Sequence, residues 1–328
     1  MSLAPAGHPD DRGYLPVDIV IMGYLTLTGL LLVISPHTLP GKMAYVTIHF
    51  TLLAVIALFR FLPRTTGPTS LVMVRHWYPI ACLPLFYTSL RLLNRMVTTE
   101  FYDNRIVALE NAIFGYHPSQ ELYRLVPSRL LSEFTHFSYL FYLVLIPLVA
   151  LLVFSRFRFP ALAEYTFSMS LTFFACYAIF ILFPVMGPYH YFGPIDPASK
   201  PGVVCYLVDR ILEGGSSMGT AFPSSHVAAA FCIWGVSRPY LGRLSWAVLA
   251  IAVGILVGTV YGGFHYAVDS LAGLPIGLAG GLLGPRLHRV LGRRLGYIDQ
   301  PGSATGTGAT NALGRSDVAA QVAAGGDS

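Results

Sequence analysis

Apolar runs long enough to cross a bilayer recur along this chain, at 17–34, 43–62, 76–93, 134–154, 165–185, 222–241, 244–261 and 266–290. A spanning helix needs about 20 mostly apolar residues, because inside lipid every backbone polar group must find its partner within the segment. The pattern predicts an all-α integral membrane protein of about eight transmembrane helices. Composition agrees: the chain is 54% hydrophobic and only 11% charged, against roughly 25% charged in an ordinary soluble domain, and its mean hydropathy is +0.61. The third run is the least regular, bracketed by Arg75 and Arg91 and interrupted by Pro79 and Pro84. The first follows Asp10, Asp11 and Arg12 with no basic leader and no small-residue cleavage site, so it reads as a retained span rather than a signal peptide.

An even number of crossings puts both termini on one side. That side collects Arg12, Arg60, Arg64, Arg156, Arg158, Arg238, Arg243, Arg286, Arg289, Arg293 and Arg294, mostly in short connections. Positive charge in short loops marks the cytoplasmic face, so the expectation is a multi-pass plasma-membrane protein with cytoplasmic termini. The net charge of +5 is scattered over helix ends instead of forming a basic stripe, which argues against a nucleic-acid partner. Cys82, Cys176 and Cys232 lie in apolar runs and Cys205 in a loop, a distribution that draws neither a disulfide framework nor a CxxC metal site. Neither a metal nor a cofactor is called for.

Three blocks follow: N-terminal transmembrane helices over 1–93, a catalytic membrane bundle over 94–298, and a Gly/Ala/Ser/Thr-rich tail over 299–328 that reads as disordered. The outer side holds two long connections, 94–132 and 186–220. Within the first, Ile106, Leu109, Ile113 and Phe114 recur at helical spacing with Asp103, Arg105, Glu110 and Asn111 between them. That spacing predicts an amphipathic helix on the outer surface, either covering a site or simply solvated and packed on the bundle.

Phe222-Pro223-Ser224-Ser225-His226 opens one apolar run, and His265-Tyr266-Ala267-Val268-Asp269 opens another 39 residues later. One crossing in and one crossing back fill that interval, so both histidines are expected at the outer membrane face. Pro223 at the first helical position would lack no needed amide hydrogen, and the free N–H groups of the next turn would attract an anion. Ser224 and Ser225 add hydroxyl donors there, and His226 sits where it can protonate an oxygen leaving phosphorus. His265 and Asp269 share a helix face at i and i+4, so the carboxylate can orient the imidazole and leave its other nitrogen free to attack.

The two motifs resemble those of the type-2 phosphatidic acid phosphatase superfamily, whose members form a membrane helical bundle with an outward-facing phosphate site. The stretches GTVYGGFHYAVDSLAG, FPVMGPYHYF and FYDNRIVALENAIFGYHPS are similar to the inositolphosphotransferase branch of that superfamily. The resemblance implies that His265 is a nucleophile forming a phosphohistidine, Asp269 its orienting group and His226 the acid for the leaving group, with Ser224 and Ser225 on phosphate oxygens. It also implies partners: a phospholipid donor, a lipid or alcohol acceptor, and the bilayer itself.

Departures from the family pattern bear on the substrate. Ser225 stands where the phosphatases usually have glycine, Thr259 where they have arginine, and Met186-Gly187-Pro188-Tyr189-His190 where they carry a basic motif. Phosphoryl transfer depends on charge stabilisation, so fewer cations favour a phosphodiester monoanion over a phosphomonoester. Tyr189, His190, Thr259, Arg105 and Arg210 are the candidate substrate contacts, with Arg95 a further cation and His136, Ser138 and Tyr139 nearer to packing roles. The expected activity is transfer of a phospho-alcohol head group, phosphoinositol being the candidate, from a phospholipid to a lipid alcohol. A lipid phosphatase with the same site is the alternative. A transporter built on the polar cluster is a third reading, weakened by the lack of inverted repeats or paired broken helices.

Overall fold

The computed structural model describes residues 11–65, 68–193, 195, 203–215 and 218–297. The tail beyond 298 lies outside the described residues. The ordered elements are helices: α1 (Pro16–Ile34), α2 (Lys42–Leu58), α3 (Thr69–Leu93), α4 (Asp103–Phe114), α5 (Pro118–Leu125), α6 (Arg129–Leu182), α7 (Pro188–Tyr191), α8 (Val203–Gly215), α9 (Ser225–Leu241), α10 (Ser245–Tyr261) and α11 (Ala267–Arg294). Among the described residues there is no strand, only an isolated bridge between Arg12 and Pro63.

Five helical stretches are long and apolar enough to cross a membrane: Pro16–Ile34, Lys42–Phe61, Arg129–Leu182, Ser225–Tyr261 and Ala267–Arg294. Two of them fold back on themselves. In α6 the helical path breaks at Arg158, with φ 62° and ψ −152°, two residues before Pro160, whose ring and missing N–H oppose a continuous helix through this segment. Tyr165 then donates its hydroxyl to the Ile146 carbonyl at 2.9 Å. In one straight helix those residues would stand about 28 Å apart along the axis, so the chain has reversed. A 3₁₀ turn over Gly242–Leu244 likewise joins α9 to α10. Helix α3 is not among the five stretches; it buries Arg75 and carries Pro79 and Pro84 internally.

Helices α9 and α11 meet at backbone distance, and glycine makes that possible. A β-carbon at Gly277 would collide with the Ala228 carbonyl oxygen, and one at Gly273 with the Ser224 carbonyl oxygen. One helical turn further, Gly281 faces Gly235. Opposite this strip, Ala228, Ala229, Ala230 and Cys232 are fully buried. Small residues every fourth position let membrane helices pack without an intervening side-chain layer. At the histidine end the contact closes with a backbone hydrogen bond from Ser224 N to Asp269 O at 2.9 Å.

Gly277→Ala therefore forces the two helices apart where neither can yield. The expected cost is about 1–3 kcal/mol of stability from overpacking, read as a lower melting temperature of the detergent-solubilised protein. The conservative Leu278→Ile, on a half-buried position beside it, should change the melting temperature much less.

Candidate active site

Helix α9 starts two residues later than its sequence suggests, at Ser225 instead of Pro223. Pro223 follows a cis peptide bond after Phe222 and precedes the cap; Ser224 is the N-cap and Ser225 the first helical residue. The Ser224 hydroxyl oxygen accepts from Val227 N at 3.4 Å, so it satisfies its own helix start. Both serines are buried, and His226 follows in the first turn, half-buried, with its ring on Tyr139 and Tyr142 at 4.9 and 4.6 Å between centroids.

The other motif hangs from the end of α10. Thr259 O accepts from Phe264 N at 2.9 Å and from His265 N at 2.8 Å. Gly263, at φ 74°, supplies the left-handed residue this tight return requires. His265 is thereby placed just before α11, and its Nε2 comes to 3.4 Å from Nδ1 of His226. On the other side of the ring, Nδ1 stands 3.4 Å from Asp269 Oδ2. That pair lacks hydrogen-bond alignment, and Nδ1 of His265 and Oδ1 of Asp269 are both buried without a partner. Asp269 Oδ2 instead accepts from Tyr266 N at 3.0 Å, capping α11.

A cavity of about 50 Å³ opens against the two histidines, lined by Tyr87, Tyr139, Met186, Tyr189, His190, Thr220, Ala221, His226, Phe264 and His265. Tyr189 and His190 reach it from α7. Burial pushes the His190 imidazole below its ordinary value, with Asp103 acting in the opposite direction. At neutral pH it is thus mostly an uncharged donor or acceptor.

Three of the sequence-derived contacts stand elsewhere. Thr259 is in the last turn of α10 on the face packed against α11; its hydroxyl donates to Leu256 O and meets Ser270 Oγ at 2.8 Å. Arg105 is exposed on α4 with its guanidinium 4.7 Å over Tyr102. Arg210 is exposed on α8, and its Nε donates to the Tyr206 hydroxyl at 3.1 Å. Arg95 stacks on Phe101 at 4.6 Å. Among the described residues, no lysine or arginine lines the cavity. His136 bonds through Nδ1 to Ser132 O within its own helix, and Ser138 donates to Phe134 O.

Sequence reasoning missed four contributors. Tyr87, from α3, lines the cavity and meets Thr220 Oγ1 at 3.2 Å. Asp103 and Glu110 of α4 are 1% and 0% exposed, whereas Leu109 and Ile113 are 44% and 56% exposed. The amphipathic helix is real, but two of its acidic residues face the bundle. Tyr266 donates its hydroxyl to Asp103 Oδ1 at 3.1 Å. A seven-residue interval between two acids on one helix face was the available signal. Among the described residues, no three His, Cys, Asp or Glu side chains converge as a metal-ligand set.

Over 113 aligned residues the chain is 31% identical to a PA-phosphatase related-family protein of Dictyostelium discoideum, the match covering 32% of this chain and 20% of that protein. The chain thus matches only about a fifth of that relative's length. No solved structure gives a significant match. The PAP2 superfamily model matches residues 104–283, which is more than half of the chain and includes every residue of the histidine cluster. With both motifs meeting at one cavity inside that segment, the chain belongs to the PAP2 superfamily.

Proposed function

We propose that this protein is a membrane lipid phosphotransferase that moves a phospho-alcohol head group, with phosphoinositol the leading candidate, from a phospholipid to the hydroxyl of an acceptor lipid. One observation carries the reading: a histidine pair, backed by a carboxylate, borders a cavity with no arginine or lysine among its described lining residues. Superfamily membership supports phosphate-ester chemistry. The cation-poor wall favours a diester, which carries one negative charge where a monoester approaches two; each missing donor would otherwise forfeit about 2.7–4 kcal/mol of transition-state stabilisation.

In this mechanism His265 Nε2 attacks phosphorus, and the bond from phosphorus to the departing lipid oxygen breaks as His226 gives that oxygen a proton. The head group remains on His265 as a phosphohistidine: phosphorus now carries the new P–N bond and one remaining ester, to the head-group alcohol. His226, now neutral, takes the proton from the acceptor hydroxyl, whose oxygen attacks phosphorus and releases His265. Asp269 stabilises the imidazole of His265 as charge develops. The backbone N–H groups at the start of α9 and the Ser225 hydroxyl receive the phosphoryl oxygens.

The two histidine nitrogens stand at 3.4 Å, a hydrogen-bond spacing with no room for a phosphorus in line between them. Substrate entry must therefore turn one ring. His226 is the mobile one in this reading: its ring rests only on aromatic faces, whereas His265 is anchored through its backbone N on Thr259 O.

Eight crossings complete the proposal, with the α6 hairpin and the α9–α10 hairpin counted as two each and α3 as the remaining one. The histidines then face outside the cytoplasm and the Arg238–Arg243 turn faces in. A cysteine at Glu100, exposed beside α4, should react with an impermeant thiol reagent on intact cells in a background lacking the native cysteines. One at exposed Arg243 should react only after permeabilisation. The opposite pattern inverts the topology.

His265→Ala should abolish turnover, and Asp269→Asn should lower it by about 10²–10⁴ while leaving the melting temperature near that of the wild type. Rapid-quench labelling with phosphate-labelled donor should trap an acid-labile adduct on His265. Near-normal turnover in His265→Ala removes the nucleophile assignment.

The relative's name gives weight to a second reading, a phosphatase in which water replaces the acceptor alcohol. Reconstituted protein given a panel of head-group phospholipids and a lipid alcohol should form a new phosphodiester, detected by mass spectrometry, and release phosphate from phosphatidic acid only slowly. Fast phosphate release with no acceptor-dependent product selects the phosphatase.

A further inference from the structure

Helix α4 turns its acidic side chains inward, and that orientation needs a cause. A buried carboxylate is costly unless hydrogen-bond donors meet it. Burial pushes the Glu110 carboxyl above its ordinary value, while the Ala267 amide and His117 draw it back. Glu110 Oε1 accepts from Ala267 N, the first residue of α11 and two residues past His265. Its Oε2 lies 3.6 Å from Nδ1 of His117.

Asp103 does the same for the facing wall. Its Oδ2 accepts from Met186 N at 2.9 Å and its Oδ1 from Gly187 N at 3.0 Å. Gly187 is the N-cap of α7, which carries Tyr189 and His190 to the cavity. Oδ1 also accepts the Tyr266 hydroxyl at 3.1 Å, so this one carboxylate ties both walls. The helix itself is held to the end of α6 by Tyr102 N to Pro184 O at 2.9 Å.

We propose that Glu110 and Asp103 are positioning residues: from one stiff helix they fix the His265 turn and the Tyr189–His190 turn at a set spacing across the substrate cavity. Seven residues of helix separate the two anchors by about 10 Å along the axis, and neither anchor can shift without the other. A second consequence concerns the phosphate. Both helix starts at the site are potential anion sites, but that of α11 is already occupied by Asp269 on Tyr266 N and Glu110 on Ala267 N. The α9 start, capped by the neutral Ser224, is the one left for substrate, and it is the one that carries His226.

The inference rests on the phosphotransfer reading above, and its test separates the two. Glu110→Asp keeps the charge but withdraws it by one methylene; Glu110→Gln keeps the acceptor at full length but drops the charge. Misplacement of a reacting group by about 1 Å can cost 10²-fold. Glu110→Asp in the reconstituted full chain should therefore lose about 10–100-fold in kcat per folded molecule with KM within about threefold, and Glu110→Gln should recover most of that loss. Amide hydrogen exchange across 264–270 should speed up in Glu110→Asp and return toward wild type in Glu110→Gln.

The reverse order, with Asp active and Gln inactive, means that charge matters instead of placement, and it overturns the inference. So does unchanged kcat in both variants, or unchanged exchange in Glu110→Asp. If the wild type turns over no lipid phosphodiester or monoester, the functional reading falls, and the exchange pattern still decides the positioning role. Should Glu110→Asp fail to fold, Asp103→Asn is measured in its place. It leaves one oxygen for three donors, so faster amide exchange at 186–187 and a lower kcat are expected, and either value unchanged overturns the inference.

Discussion

The backbone contact between α9 and α11 is the constraint on which the site depends. Catalytic geometry tolerates errors of a fraction of an ångström, and a side-chain layer between helices can change rotamers and shift the helices by more than that. Here the layer is absent: Gly273, Gly277 and Gly281 bring α11 onto the backbone of α9, and Ser224 N to Asp269 O locks the register at the histidine end. The spacing of His226 and His265 follows from that lock and from the Thr259 turn. The position that sequence comparison nominates as a phosphate ligand, Thr259, contributes its carbonyl and its Ser270 contact to this frame.

A second fixed point lies toward the other end of α3. Arg75 and Asp18 form an ion pair at 2.9 Å with both side chains fully buried. Burying such a pair costs several kcal/mol per ion unless further bonds complete it. Most of the remaining positions are met: Arg75 also donates to Leu62 O, Pro63 O and Gly13 O, and Asp18 accepts from Tyr78 and from Leu15 N, while Arg75 Nε alone of the guanidinium nitrogens is buried without a hydrogen bond. This knot ties α1, the connection before α3 and α3 itself into one body. Tyr87, twelve residues up the same helix, about 18 Å along its axis, then reaches the cavity. The N-terminal helices are therefore mechanically part of the site, although the histidine motifs lie far from them in sequence.

What the sequence reveals and what it hides divide along a physical line. Hydropathy and the 39-residue interval reveal the pairing of His226 with His265, because bilayer thickness converts residue number into position. The helix over Asp103–Phe114 is legible for the same kind of reason, a 3.6-residue period. Its rotation is not. Period alone assigns acids to the wet face, yet Asp103 and Glu110 turn inward because amides at Ala267, Met186 and Gly187, distant in sequence, offer donors there. The arginines fail for a related reason. Arg105 and Arg210 are near the outer motifs along the chain, but each side chain leaves the surface in a direction set by its own helix and settles on a neighbouring tyrosine. Ser224 shows a smaller slip: a two-residue shift in the helix start converts an expected phosphate donor into a cap.

Those displacements leave the cavity with aromatic walls, two facing imidazoles and a neutral-leaning His190, and this combination constrains how chemistry proceeds there. An ensemble of fixed cations would bind any phosphate, mono- or diester, before the acceptor arrived. Under the proposed function, the aromatic walls with Tyr87, Tyr139 and Tyr189 would offer hydroxyls and ring faces to a polyhydroxylated head group instead. In the proposed reaction stabilisation comes from the α9 amides and from the histidine pair itself, both of which act most strongly on charge developing at the reacting oxygens. The His226–His265 contact at 3.4 Å fits that proposal: each nitrogen is the other's partner, and in the proposed reaction a phosphoryl centre, with one oxygen to protonate and one face open to attack, takes the place of both.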